Sequence, residues 1–345
     1  AAFSLERSEQ DRFGRTDRDI GRRYLVSRPN PDYDPSQPPS QANPQTILDG
    51  PGGNHALSYG GTFTVGAFNG TNRYRFNPDG SFSPDRSDGW FNATSCIDCD
   101  FTDLNAAADL EPKFDRTSLN AIFGFDLNDN NRFFLEAKYS KTESNFYGQS
   151  TFDQPIRIRA DNAMMSAQLQ EFLAANPAAL STVEFEHPWS GDDVAYQFLP
   201  VTRFNMDAGR RGEIVDRSTT RVVAGLEGFF GDSWSYEASF NYGESSIARQ
   251  NLNNRINERW QAGLDVVLDA DGNLDCRVNV DPGAINIHTG NPYNTAIIGN
   301  CVPFSVFGNG AISPEAAAWF NTTSLNNSKI QQTVFAASIA NSYLY

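Results

Sequence analysis

The feature that most constrains this chain is a strict two-residue alternation of apolar and polar side chains, in segments joined by links that are alternately very short and very long. In Ser118–Asn128 the apolar set is Leu119, Ala121, Phe123, Phe125 and Leu127, against Ser118, Asn120, Ile122, Gly124 and Asp126. In Arg132–Lys141 it is Phe133, Leu135, Ala137 and Tyr139, against Phe134, Glu136, Lys138 and Ser140. Ser218–Phe230 repeats the pattern with Val222, Ala224, Leu226 and Phe230 against Thr219, Arg221, Val223, Gly225 and Glu227. In Trp234–Gly243 the split is complete: Trp234, Tyr236, Ala238, Phe240 and Tyr242 against Ser235, Glu237, Ser239, Asn241 and Gly243. Period two puts successive side chains on opposite faces of a strand, so each segment predicts a strand with one apolar and one polar face. Ala1–Arg7 and Ser328–Tyr345 are weaker candidates.

Asn128-Asp129-Asn130-Asn131 and Gly231-Asp232-Ser233 are short links built from residues that tolerate positive φ, and they predict two hairpins. Between and around the hairpins lie long stretches without alternation: Asp11 to Pro112, Gly148 to Asp216 and Asn251 to Asn327. Structureless loops of that length are uncommon in compact soluble domains. Short turns alternating with long loops are the ordinary form of an outer-membrane barrel, with short periplasmic turns and long extracellular loops. The predicted fold is therefore all-β: a segment of an antiparallel transmembrane β-barrel, of about five or six strands. One β-barrel domain is expected over residues 1–345. It divides into a strand at 1–10, a long extracellular loop at 11–112, a hairpin at 113–147, and an extracellular loop at 148–216. A second hairpin at 217–250, an extracellular loop with a disulfide at 251–327 and a strand at 328–345 complete it.

The composition fits. Hydrophobic residues are 39% of the chain, below the usual share of roughly 45–50%, yet aromatic residues reach 12% with 26 Phe, which sets the chain apart from disordered sequences. Mean hydropathy is -0.49. There is no apolar run of the ~18 residues a transmembrane helix needs. Residues 1–6, Ala-Ala-Phe-Ser-Leu-Glu, lack the pattern of a secretory leader and read as part of a strand, so the chain is expected to begin mid-structure. The formal net charge of -15 speaks against nucleic-acid binding, and the arginines between Arg7 and Arg28 are interleaved with Glu9, Asp11, Asp17 and Asp19.

Within the loops, Tyr59–Ala67 and Arg73–Ser83 predict a hairpin whose second arm carries the turn Asn77-Pro78-Asp79-Gly80. Asn162–Ala175 predicts a short helix, stopped by Asn176-Pro177. Ser313-Pro314-Glu315 opens another that runs to about Phe320, with Ser at the N-cap and Pro at the first position. Pro29–Pro44 predicts an extended, mobile segment.

The four cysteines form two sequence-local sets, Cys96/Cys99 and Cys276/Cys301, in polar segments. Disulfides in an oxidising compartment outweigh a zinc site, since His55, His187 and His288 supply no second ligand pair. For Cys96 and Cys99, free or interchain thiols remain open. Asp269-Ala270-Asp271-Gly272-Asn273 resembles the start of a Ca²⁺ loop but has Val280 where the bidentate Glu belongs, and an Asp-Gly hairpin turn is the stronger reading. His187, Trp189, Tyr33, Trp90 and Trp319 could stack on a sugar or a flat ligand, but packing within the loops is the plainer expectation. Asn69, Asn92 and Asn321 head Asn-X-Ser/Thr triplets without meaning for a bacterial outer-membrane protein. The sequence has none of the common hydrolase, metalloprotease, phosphate-loop or dinucleotide motifs, so no catalytic residues, metal ligands or cofactors are assigned.

Several runs in order resemble one family. Lys113–Leu119 followed by Arg132–Ser140 resembles a barrel hairpin of proteobacterial TonB-dependent receptors. Ala160-Asp161-Asn162-Ala163, Asp275-Cys276-Arg277, Cys301-Val302-Pro303-Phe304-Ser305-Val306-Phe307-Gly308 and Ser313-Pro314-Glu315-Ala316-Ala317 continue the resemblance, which covers residues from about 110 to 345. It implies a large barrel, of about 22 strands, closed by a plug. It also implies uptake of a scarce nutrient such as a siderophore or oligosaccharide, driven by TonB. The expected partners are outer-membrane lipid, the rest of the barrel and its plug, the TonB complex and a small ligand of unknown identity. The TonB box, the plug and the family's final strand are not found in the sequence, so this chain is expected to be a fragment that does not transport by itself. The alternative is a soluble or secreted β-rich carbohydrate-binding module with two packed sheets and a dry core; a porin-like barrel is a third reading.

Overall fold

The computed structural model describes residues 1–86 and 89–343. Six long strands, Ala2–Gln10 (β1), Lys113–Asn128 (β2), Asn131–Tyr147 (β3), Gly212–Phe230 (β4), Trp234–Arg255 (β5) and Asn321–Asn341 (β6), form one sheet. Their order in the sheet is their order in the chain, and every pair is antiparallel. The two hairpin links sit at one end. In the first, the Asn128 side chain accepts from the Asn130 N–H (3.0 Å) and the Asn131 amide (2.8 Å); in the second, Gly231 adopts φ +62°. The three long connections all leave from the opposite end. The expected hairpins, 113–147 and 217–250, are present; the second extends to 212–255 because the strands continue past the alternating part into Asn/Arg-rich sequence. The last strand begins at Asn321 rather than 328, and of the expected strand to Tyr345, residues 344 and 345 lie outside the described residues.

The long connections are not the irregular loops their sequence suggests. They fold on one another into a body with its own sheet, in which Phe152–Arg159 pairs with Asp193–Phe204, and the latter also pairs with Ser181–Glu186 and, through Thr202, with Thr62–Thr64. The expected 59–83 hairpin is there, reduced to Thr62–Thr64 against Arg73–Phe76, and the turn at residues 77–80 folds Phe82–Pro84 back onto the second arm. The Asp269 turn is the tip of a hairpin between Val266–Leu268 and Leu274–Cys276. The helix expected over 162–175 begins at Ala167, because Ser166 is the N-cap accepting from the Leu169 N–H, whereas Asn162 is spent on a turn and donates to the Leu264 carbonyl (2.6 Å). Pro314–Phe320 forms as read, capped by Ser313. A helix at Asn257–Leu264 had no signal in the alternation. Pro29–Pro44 is not extended: Val26–Pro29 pairs with Thr46–Asp49, and Asn43 donates to the carbonyls of Asp34 (2.9 Å) and Gln37 (3.3 Å).

The core lies almost wholly in the connections. Trp260, Phe304, Phe320, Phe63, Ile156 and Leu169 anchor the main cluster. A second cluster around Val278, Tyr293 and Ile298 is closed by Cys276 and Cys301. In the six-stranded sheet, Val223 is the one buried hydrophobic side chain among the described residues. Both cysteine sets are bonded within themselves, Cys96–Cys99 and Cys276–Cys301. The latter spans 25 positions, a closure that stabilises by about 3 kcal/mol in the loop-entropy model. Replacing Cys276 and Cys301 together by Ser is therefore expected to lower the stability of this body by that amount. The check is the denaturant midpoint of tryptophan fluorescence, which should fall in the variant and not in the parent.

Candidate functional site: the two faces of the long sheet

The register converts the alternation into rows across the sheet. One row runs Phe125–Phe133–Leu226–Ala238–Ala337 from β2 to β6. The next is Phe123–Leu135–Ala224–Phe240–Phe335, and the next, now including β1, is Phe3–Ala121–Ala137–Val222–Tyr242–Thr333. All lie on one face, because residues opposite each other in antiparallel strands point the same way. This face is left open. Phe335 is 76% exposed, Phe3 68%, Phe125 56% and Phe240 47%. At the hairpin end its margin carries Phe230, Trp234 and Tyr236, with Phe230 stacked on Trp234 at 5.9 Å, and at the other margin stand Tyr139 and Tyr242. The Tyr236 hydroxyl donates to Asn131 (2.6 Å) and that of Tyr242 to Glu244 (2.7 Å).

Beyond that margin, on the same face, the rows turn polar. Leu5–Leu119–Tyr139–Thr220–Glu244–Gln331 is followed by Arg7–Thr117–Lys141–Ser218–Ser246–Lys329 and then by the carboxylates Glu9, Asp115, Glu143 and Asp216. The opposite face is mostly polar: Asn120, Lys138, Arg221 and Gln332 share one row, and Ser118, Ser140, Thr219 and Ser245 the next, while Ile122, Phe134, Val223 and Val334 stand nearer the hairpin end of the same face. Glu237 and Asn241 therefore point away from Trp234, Tyr236, Phe240 and Tyr242. Two glycines on the polar face are covered by neighbours. A Cβ on Gly225 would come within 2.3 Å of the Phe134 ring, and one on Gly124 within 2.6 Å of the Arg132 guanidinium.

In the connections, buried ion pairs hold the segments together. Asp265 accepts from Arg159 (3.0 Å), Arg277 (2.9 Å) and the Tyr293 hydroxyl (3.2 Å), and burial pushes the Tyr293 phenol well up. Arg203, fully buried, is bidentate to Asp207 (2.8 and 2.7 Å), while Arg255 is bidentate to Asp153 (2.6 and 2.9 Å) and lies over the Trp260 ring. These residues had no motif; their only signal was the high Arg and Asp content of supposed loops. Removing Asp265 with an Asp265→Ala change leaves two guanidiniums in a low-dielectric site, with an expected cost of about 3–5 kcal/mol. Thermal denaturation checks it, and a melting point unchanged from the parent would contradict it.

The aromatic residues singled out in the sequence do not converge. Trp189 is 64% exposed and meets His187 edge-on at 5.3 Å. Trp319 donates to the Ile298 carbonyl (3.2 Å), Tyr33 accepts from Gln45 (3.2 Å), and the Trp90 carbonyl accepts from the Ile97 N–H (2.8 Å). The Asp269 carboxylate is occupied by its own turn, accepting from the N–H groups of Asp271 (2.9 Å) and Asn273 (2.8 Å). His288 accepts from the Arg157 N–H at Nε2 (3.3 Å) and is held neutral at a pKa of about 4. Burial is the main cause, with the guanidinium of Arg157 next and those of Arg255 and Arg159 adding, against Asp153.

Since the folded value lies below the ordinary 6.5, the unfolded chain takes up this proton more readily. The His288 contribution is complete above pH ~6.5 and is lost as the pH falls towards ~4, by up to roughly 3 kcal/mol. His288→Gln is expected to remove that part of the slope, read as the difference between parent and variant denaturant midpoints across this range.

Comparison with protein-family models, curated proteins and solved structures finds no match to this chain.

Proposed function

We propose that β1–β6 are part of the wall of an outer-membrane β-barrel, and that the chain is a fragment of a TonB-dependent receptor for active uptake of a scarce nutrient. One observation carries the membrane reading: a broad apolar face runs across β2 to β6 and reaches β1 at Phe3, and none of the other described parts of the fold covers it. A water-soluble protein rarely leaves so large an apolar patch open. The carbohydrate-binding module alternative requires a second sheet over this face; the second sheet of the molecule belongs to the connections instead.

The dimensions suit the reading. Leu119 to Leu127 spans roughly 26 Å of strand, which a tilt of about 40° reduces to roughly 20 Å. That is a little under the ~25 Å apolar band of such barrels, and the aromatic rings at both margins extend it. In this arrangement the apolar face meets lipid and the polar face lines the lumen. The hairpin turns are periplasmic, and the disulfide-bonded connections lie outside the cell. In this reading the outer edges of β1 and β6, which carry no partner strand among the described residues, pair with further strands of the barrel. The TonB-receptor assignment rests on the ordered sequence runs described above. It makes the chain a transport component rather than an enzyme, with the plug, TonB and an unidentified small ligand as partners.

The experiment is flotation with phosphatidylcholine vesicles after refolding from denaturant. The chain is expected to float and to need detergent for solubility; a monomer soluble in plain buffer would end the membrane reading. Phe240→Arg, on the lipid side, is expected to cost about 2–4 kcal/mol of insertion, and Ser239→Arg, one residue along and on the lumen side, far less. Equal losses from the two would mean the faces are wrongly assigned.

A further inference from the structure

The dipeptide Asn-Gly occurs twice in the chain, at Asn69-Gly70 and Asn309-Gly310, and the fold treats the two in opposite ways. Asn69 stands exposed in the link between Thr62–Thr64 and Arg73–Phe76, followed by Gly70 at φ +98°. Its side-chain Oδ1 accepts two hydrogen bonds, from the Thr71 N–H (3.0 Å) and the Thr71 hydroxyl (3.1 Å). The link around it is fixed. The Asn69 N–H donates to the Asn72 side chain (2.9 Å), whose amide donates to the carbonyls of Val65 and Ala67 (both 2.7 Å). Among the described residues the Gly70 N–H has no acceptor. The Gly310 N–H, by contrast, donates to the Asp207 carboxylate (3.0 Å), which Arg203 holds in a bidentate pair. We propose that Asn69 is a modification site, where the fold assists conversion of the side-chain amide, through a cyclic imide with Gly70, to aspartate and isoaspartate, and that Asp207 shields Asn309 from the same reaction.

A glycine in the second position has no Cβ to hinder its nitrogen. Hydroxide takes the Gly70 amide proton, the nitrogen pair bonds to Asn69 Cγ, and the Cγ–Oδ1 π pair moves onto Oδ1. Both Thr71 donors already point at that oxygen, so the negative charge develops where it is stabilised. Collapse breaks the Cγ–Nδ2 bond, and Nδ2 takes a proton from water and leaves as ammonia. Water then opens the imide. Breaking the bond from the Gly70 nitrogen to Cγ gives aspartate in an ordinary main chain. Breaking its bond to the backbone carbonyl carbon gives isoaspartate, whose main chain runs through Cβ and Cγ. The balance is water in and ammonia out, with no oxidant or cofactor. At Asn309 the same attack requires Gly310 to surrender a hydrogen bond to a charged acceptor. Accessibility alone gives the opposite order, since Gly310 is exposed and Gly70 is buried beside the Phe91 ring. Isoaspartate at position 69 lengthens the main chain next to Phe68, whose ring covers the buried Arg73 guanidinium at 3.9 Å. The site belongs to the connection body and is independent of the membrane reading.

The test is mass spectrometry of peptides cut from the full chain after it has been kept folded at mildly alkaline pH and sampled over days, beside a portion held in denaturant. In the folded chain the peptide containing Asn69 is expected to show the mass rise of the amide-to-acid change roughly tenfold faster than the peptide containing Asn309, the factor set by the hydrogen bond that Gly310 must break. In denaturant the two rates should converge. Chromatography should resolve the product into aspartyl and isoaspartyl forms. Thr71→Val removes the hydroxyl donor and should slow the reaction at Asn69 about fivefold in the folded chain, with no change in denaturant. Equal rates at the two positions of the folded chain, or a faster rate at Asn309, overturn the proposal, and so does a Thr71→Val rate equal to the parent's. A rate at Asn69 lower in the folded chain than in denaturant also overturns it, because the link would then protect the amide; this comparison uses the parent alone and holds even if Thr71→Val does not fold.

Discussion

Every assignment of a face depends on the antiparallel hydrogen-bond ladder that locks β1 to β6 in register. Because side chains alternate, a slip of one residue at any of the five pairings would carry a strand's aromatic rings to the wet side and its carboxylates to the apolar side. The register holds over almost the whole of β2 to β5, with breaks only beside the first turn and near Asn251–Asn254, where the connections begin. The neighbouring rows then add to this pinning. Phe134 over Gly225 and Arg132 over Gly124 are shape-specific pairs that a slipped sheet could not re-form.

What the sequence disclosed follows from how local its cause is. The hairpins were legible because alternation and turn chemistry are both written within a dozen residues. The helix at Pro314–Phe320 was legible because Ser313 and Pro314 mark its start. The connection body was not, because its order comes from contacts between residues far apart in the chain. Arg159 meets Asp265 across 106 positions, and Asn205 meets Asp153 across 52. No local pattern announces such pairs, and a segment rich in Asn, Asp and Gly reads as loop whether or not it packs. The same reason explains the late start of the helix at Ala167: Asn162 is held by Leu264, far along the chain, and leaves the helix to Ser166. Spacing pointed to the Cys276–Cys301 bridge but left Cys96 and Cys99 open between a bridge and free thiols, and the rows of charge on the sheet emerged only once the register was known.

The molecule thus combines two kinds of stabilisation. The connection body resembles an ordinary water-soluble domain, with aromatic clusters, buried ion pairs and a covalent tie between Cys276 and Cys301. The sheet has almost none of these and relies on the backbone pairing between its strands. Conditions that weaken the apolar effect in water act mainly on the first.

The outer edge of β6 gives this division a practical side. Along the 21-residue strand Asn321–Asn341, alternate residues point their N–H and C=O groups outward, and the strand carries exposed Leu325, Ile330 and Phe335. Such an edge is a template for any extended segment of similar length. With that edge open the chain should act as its own seed, adding copies strand to strand, so that dilution and speed during refolding govern the yield as much as temperature does.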